Sequence, residues 1–260
     1  MTAHGIPSNA DRDSITSTKI ARGIFERIES KGKPSDRLAG QISGSKFEQV
    51  TRSFIEKTFE ALGALRPGTW DFNPVRKAID DFEQYNHLAE LARLARKTAE
   101  LAVLLGNDYV IAPDILLVRQ PEPDKIINAK RIIVDEDVAL LASIRKHNNT
   151  LPILHASISC KWTLRSDRAQ NARSEALNLI RNRKGRSPHI AVVTGEPLPS
   201  RLASLALGTG DLDCVYHFAL PELIASVGKL HLEDPDRLVK TMVEGKRLKD
   251  IADLPLDLAV

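Results

Sequence analysis

A chain of 260 residues, 42% hydrophobic and 27% charged, is long enough to bury a full core and is read as one domain over 1–260 with an N-terminal arm over about residues 1–20. Its apolar runs fall far short of the roughly 20 residues that span a bilayer, no charged-then-apolar leader opens it, and Cys160 and Cys214 show no metal or disulfide spacing. Membrane and exported classes are thereby excluded, a reducing cytoplasm is expected, and a net charge of +3 does not by itself name a partner.

The stretch through Ser8-Asn9-Ala10-Asp11 to Ser14–Lys19 is polar and without a clear period, so it reads as an arm or loop. Phe47, Val50, Phe54, Thr58, Ala61, Leu62 and Leu65 recur at helical spacing and stop at Arg66-Pro67-Gly68. A second long helix is predicted from about Ile79 to Leu105, stopping at Gly106. Tyr109–Val118 is too apolar and too short for a surface helix and reads as a buried strand broken at Pro113. In the next strand, Pro152–Leu164, side chains alternate faces, so Ser159 and Lys161 share one. A helix from about Ala169 to Lys184, ended by Gly185, leads into the apolar strand His189–Thr194. This order predicts an α/β fold, a mixed sheet flanked by helices.

Between Lys161 and Arg186, eight basic residues stand against Asp167 and Glu175, a local excess of +6. A polyanion fits that stretch, and so does a solvated helix face. Asp114 in an apolar strand is costly as an ion unless paired, hydrogen-bonded or bound to a cation. Lys161 raises the same problem on a second strand. Glu175 lies beside the inward stripe of Ala172, Ala176 and Leu179. Each is separately explained by a structural ion pair, but three charges turned into one sheet and helix layer suggest a site. Phosphodiester hydrolysis suits them, because carboxylates hold hard Mg²⁺ through oxygen and a lysine stabilises developing charge. The generic nuclease pattern is an acid on one strand, then acid-x-Lys on the next. Ser159 stands where the second acid belongs, so the literal pattern fails.

Pro113-Asp114, Ser159-Cys160-Lys161 and Glu175 on the following helix resemble the CCGG branch of type II restriction endonucleases, within the PD-(D/E)XK superfamily, in which the second acid has moved to that helix. The resemblance extends through Leu154–Thr163, Arg165–Glu175, Arg181–Arg186, Gly40-Gln41, Ser43-Gly44, Phe47-Glu48, Asp211–Leu220 and Gly245–Asp250. It covers roughly Ser8 to Val260 and implies a restriction-endonuclease-like core. It further implies Mg²⁺-dependent cleavage of double-stranded DNA at G/CCGGC, with 5′-phosphates and four-base 5′ overhangs. Asp114, the Cys160 backbone carbonyl and Glu175 would hold metal, two Mg²⁺ ions per site. Glu48 would add to the acidic surround, Lys161 would position the water, and Ser159 would fill the vacated acid position.

Arg165-x-Asp167-Arg168 adds a chemistry of its own. Guanidinium forks pair with guanine O6 and N7, and a carboxylate accepts from cytosine N4, so the set suits G·C pairs. By resemblance these three read the inner CCGG, whereas Asp11 and Arg201 contact the outer pair in the major groove and Gln41 contacts the minor groove. The resemblance also implies a homodimer assembling to a homotetramer, and the function implies a companion methyltransferase. A sequence-relaxed repair nuclease would need Asp114 and Lys161 but not Arg165-Ser166-Asp167-Arg168. A DNA-binding regulator would need the basic segment but not the inward acids, and a metal-free α/β protein would need all three charges to be structural pairs.

Overall fold

A computed structural model describes residues 6–28, 40–72, 78–95, 97, 113–208 and 210–260, with the side chains of 40–42 left aside. Six strands form one mixed sheet in the order β1 to β6, flanked by helices, the α/β class expected from the sequence. By its contacts the chain divides into two compact units, one of Met1–Leu62, Ile158–Ser174 and Ile190–Val260 and the other of Gly63–Ser157 and Glu175–His189. Among the described residues no helix is long and apolar enough to cross a membrane.

The first unit opens with a helix where the sequence suggested a loop. The hydroxyl of Ser14 accepts from the Ser17 N–H and caps α1 (Ile15–Arg27). Ser17, Ile20, Ala21 and Ile24 then form its buried stripe. That short stripe lies inside a Ser/Thr-rich segment, which hid it. The helix packs on α7 (Leu220–Gly228), where Arg27 donates to the Ser226 hydroxyl at 3.2 Å. The second helix, α2 (Gly40–Ala61), buries Ile55 and Phe59. In this unit β4 (His189–Thr194), of which His189 belongs to the other unit, runs parallel to β5 (Cys214–His217), and β5 runs parallel to β6 (Leu248–Asp250). Between them lie α6 (Pro199–Ala206), α7 and α8 (Glu233–Glu244). Both cysteines are buried and neither forms a disulfide.

His217 on β5 has no exposed surface, and its Nδ1 accepts from the Ala219 N–H at 3.1 Å. Burial pushes its pKa down from 6.5 to about 4. The unfolded chain therefore takes up this proton first as pH falls through that window, and the folded state loses stability. Between pH 7 and pH 5 we expect a loss of about 2 kcal/mol from this residue. Urea denaturation of the wild type and His217→Gln at both pH values checks it, and an equal loss in the variant would refute it.

In the second unit β1 (Trp70–Phe72) lies antiparallel to β2 (Ile115–Arg119). The helix expected over Ile79–Leu105 is instead two 3₁₀ turns, Ile79–Asp81 and Glu83–Tyr85, followed by α3 (His87–Ala95). Phe82 between the turns is extended and fully buried. Gln84 exchanges hydrogen bonds with both backbone groups of Leu154 at 2.7 and 2.9 Å, and the Tyr85 hydroxyl donates to the Leu179 carbonyl at 3.0 Å. Those contacts override the helical period. Its remainder from 98 to 105, like the predicted strand before Pro113, lies outside the described residues. After α4 (Asp124–Ile127), a loop is organised by Arg145. This buried guanidinium bonds Asp124 and the carbonyls of Asp135, Val138 and Ala139. Two further elements pass through both units: β3 (Ile153–Lys161) and α5 (Ser166–Asn182). Residues 154–160 of β3 are all buried, so both of its faces are covered.

Candidate active site

In the second unit, Asp114 follows the buried Pro113 and immediately precedes β2. It is half-buried, whereas the next four residues, Ile115 to Val118, are buried outright. Glu175 on α5 is also half-buried, beside the buried Ala176. Ser159, Cys160 and Lys161 end β3 in the first unit, the first two buried and the lysine half-buried. Glu48 on α2 ion-pairs with Arg52 one turn along at 2.9 Å. The proposed catalytic residues are thus divided, Asp114 and Glu175 in one unit and Glu48, Ser159, Cys160 and Lys161 in the other.

The end of β3 is held by the last residue of β4 and the glycine that follows it. The Thr194 hydroxyl donates to the Lys161 carbonyl at 2.7 Å, and the Gly195 N–H reaches the same oxygen at 3.4 Å. Trp162 lies so close to Gly195 that a Cβ there would sit 2.5 Å from its ring. The ring cannot retreat freely, because Phe47 and Phe218 pack on it with centroids at 5.0 and 5.4 Å. We expect Gly195→Ala to destabilise the protein by about 1–3 kcal/mol, read from the urea midpoint. An unchanged midpoint would contradict this packing.

Beyond Lys161 the chain enters the arginine-rich segment. Arg165 and Asp167 are exposed, Asp167 in the first turn of α5, and Arg168 donates to the Thr163 hydroxyl at 2.8 Å. The structure also brings Asp11 and Arg201 together, as a direct carboxylate–guanidinium pair. That bond above all holds the Asp11 carboxyl below its usual range, the Asp13 N–H helps, and the charge of Arg165 adds to it. Asp11, Arg165 and Arg201 therefore share one electrostatic neighbourhood. Gln41 lies on α2, but its side chain is outside the described residues.

The profile of the NgoMIV restriction enzyme family matches residues 1–260, the whole chain. The chain belongs to the NgoMIV restriction enzyme family. It is 54% identical over 260 residues to the type II restriction enzyme NgoMIV of Neisseria gonorrhoeae, a match covering 98% of this chain and 91% of that protein. The protein is therefore a type II restriction endonuclease, a site-specific deoxyribonuclease acting on DNA.

The sequence alone does not single out Glu196. It directly follows the β4 strand and Gly195, and its side chain has no exposed surface. A carboxylate after an apolar strand reads as a solvent-facing loop residue, and only the unbroken burial of residues 190–197 marks it as internal. Asn9, whose amide donates to the Gly195 carbonyl at 2.7 Å, was hidden in the same way inside a polar arm.

Proposed function

We propose that residues 1–260 act as one nuclease domain that hydrolyses both strands of G/CCGGC, leaving 5′-phosphates and four-base 5′ overhangs. The observation that supports the reading is the Asp11–Arg201 carboxylate–guanidinium pair, an acceptor and a donor matched to G·C edges, in the unit that also contains Arg165 and Lys161. Arg165, Asp167 and Arg168 read the inner CCGG. Asp11 and Arg201 read the outer pair, and Gln41 reads the minor groove.

The proposed metal donors fit Mg²⁺ by their chemistry. Asp114, Glu175 and the Cys160 carbonyl offer only hard oxygen. Among the described residues no three His, Cys, Asp or Glu side chains gather into a metal-holding group, but Mg²⁺ commonly takes one or two carboxylates and completes its shell with water and substrate phosphate. When bound, as two ions per site, it supplies charge stabilisation at the phosphate and lowers the pKa of water. Lys161 orients the attacking water and stabilises charge on the phosphate oxygens. Ser159 fills the position left by the displaced acid, and Glu48 adds to the acidic surround.

A palindrome calls for two-fold protein symmetry, and a homodimer assembling to a homotetramer is the proposed form. Support comes from the loop organised by Arg145, which leaves Ile132, Ile133, Val138, Leu140 and Leu141 in water, Leu141 at 95% exposure. We expect Leu141→Glu to shift the light-scattering mass from tetramer toward dimer. An unchanged mass would remove this loop from the interface. The proposed compartment is the cytoplasm, with a companion methyltransferase protecting the host's own sites.

The function is tested on plasmids carrying GCCGGC, CCGG alone, or neither, incubated with Mg²⁺. Cutting of the first alone is expected. Cutting of all three would favour a relaxed repair nuclease, and binding without cutting would favour a regulator.

A further inference from the structure

A buried carboxylate persists where donors replace the water it has lost. Glu196 has three. Its Oε2 accepts from the Leu164 N–H at 2.7 Å, its Oε1 accepts from the Leu198 N–H at 3.1 Å, and the Arg201 guanidinium stands 3.7 Å from Oε2. Burial pushes its pKa up, and the two N–H groups and Arg201 pull it back down. The identity of the donors matters more than their number. Leu164 immediately precedes Arg165, and Leu198 is the N-cap residue of α6, whose first turn carries Arg201. The backbone N–H of Glu196 itself bonds the Thr194 hydroxyl at 3.2 Å, the same hydroxyl that holds the Lys161 carbonyl. All of these residues lie in the first unit.

We infer that Glu196 is a positioning residue for base reading, its carboxylate fixing the start of the Arg165 segment and the first turn of α6 to each other so that inner and outer base pairs are read from one frame. This rests on the proposed reading roles of Arg165 and Arg201. Glu196 itself touches no base. In Glu196→Gln the single amide oxygen can accept from only one of the two N–H groups, the amide nitrogen faces the other donor, and Arg201 loses its second carboxylate. Glu196→Asp keeps the charge with a shorter reach.

The test measures kcat and KM with Mg²⁺ on three duplexes: GCCGGC, one with its outer pair altered and one with its inner pair altered. Arg165→Ala and Arg201→Ala are run beside the Glu196 variants. For Glu196→Gln we expect discrimination to fall about tenfold at the inner and outer positions together, within the range that one base pair commands, mainly through KM. Glu196→Asp should recover part of both, and it carries the same readout should Glu196→Gln fail to fold. Arg165→Ala should relax the inner position alone and Arg201→Ala the outer alone. A merely structural role would slow all three duplexes equally and leave their ratios unchanged, which would overturn the inference. So would a change at one position only. If instead Arg165→Ala and Arg201→Ala both discriminate as the wild type does, the reading roles fail, and the inference falls with them.

Discussion

Asp114→Ala is expected to abolish cleavage of a GCCGGC duplex, by about 10³-fold or more, while the protein still binds that duplex in Ca²⁺. The magnitude follows from removing the proposed metal donor, since a metal bound there would contribute several kcal/mol to stabilising the transition-state charge. Binding survives because the carboxylate is not a base reader, and removing a negative charge near the phosphate does not weaken attraction to DNA. The position invites the substitution structurally as well. Asp114 lies just before β2 and is half-buried, so alanine leaves the buried run Ile115 to Val118 intact. Cleavage at the wild-type rate would refute its metal role. Loss of both binding and folding would instead assign it to structure.

Lys161→Ala should lower kcat by about 10²–10³-fold, the range seen when one preorganised donor is removed from a transition state. Affinity for the uncut duplex should change far less, since one phosphate contact is a small part of the total. The backbone at position 161 should stay in place in this variant. Its carbonyl is held by the Thr194 hydroxyl at 2.7 Å, a bond that the substitution leaves untouched. Single-turnover rates on preformed complexes separate the chemical step from binding. A variant whose single-turnover rate matches the wild type would remove Lys161 from the chemistry.

Much of the fold was readable because its signals were local. The strand His189–Thr194 is found with the bounds that its apolar run predicted. Strand β3 lies within its predicted limits, and α5 begins at Ser166, three residues ahead of the expected start. Where the sequence misled, long-range contacts won. Gln84 and Tyr85 spend their polar groups on Leu154 and Leu179, and those bonds turn a helical period into 3₁₀ turns. Ser14 worked in the opposite direction, one capping hydroxyl stabilising a helix whose stripe was too short to stand out.

The site divides along the same line. Arg165, Asp167 and Arg168 form a compact word in the sequence, and Asp114, Lys161 and Glu175 are conspicuous as charges among apolar neighbours. Glu196 is conspicuous only once its burial is known. Nothing in Thr194-Gly195-Glu196-Pro197 announces that its carboxylate holds the backbone of Leu164 and stands beside Arg201, because those partners come from 32 residues upstream and from the next helix.

The proposed endonuclease cuts at one palindrome with one polarity. Exhaustive digestion of bacterial genomic DNA with the purified protein and Mg²⁺, followed by sequencing of every new fragment end, tests it most directly. Each end should begin with a 5′-phosphorylated CCGGC, and the base before it in the intact genome should be G. Ends at CCGG in any other context, at a different position within the hexamer, or without sequence preference would contradict it.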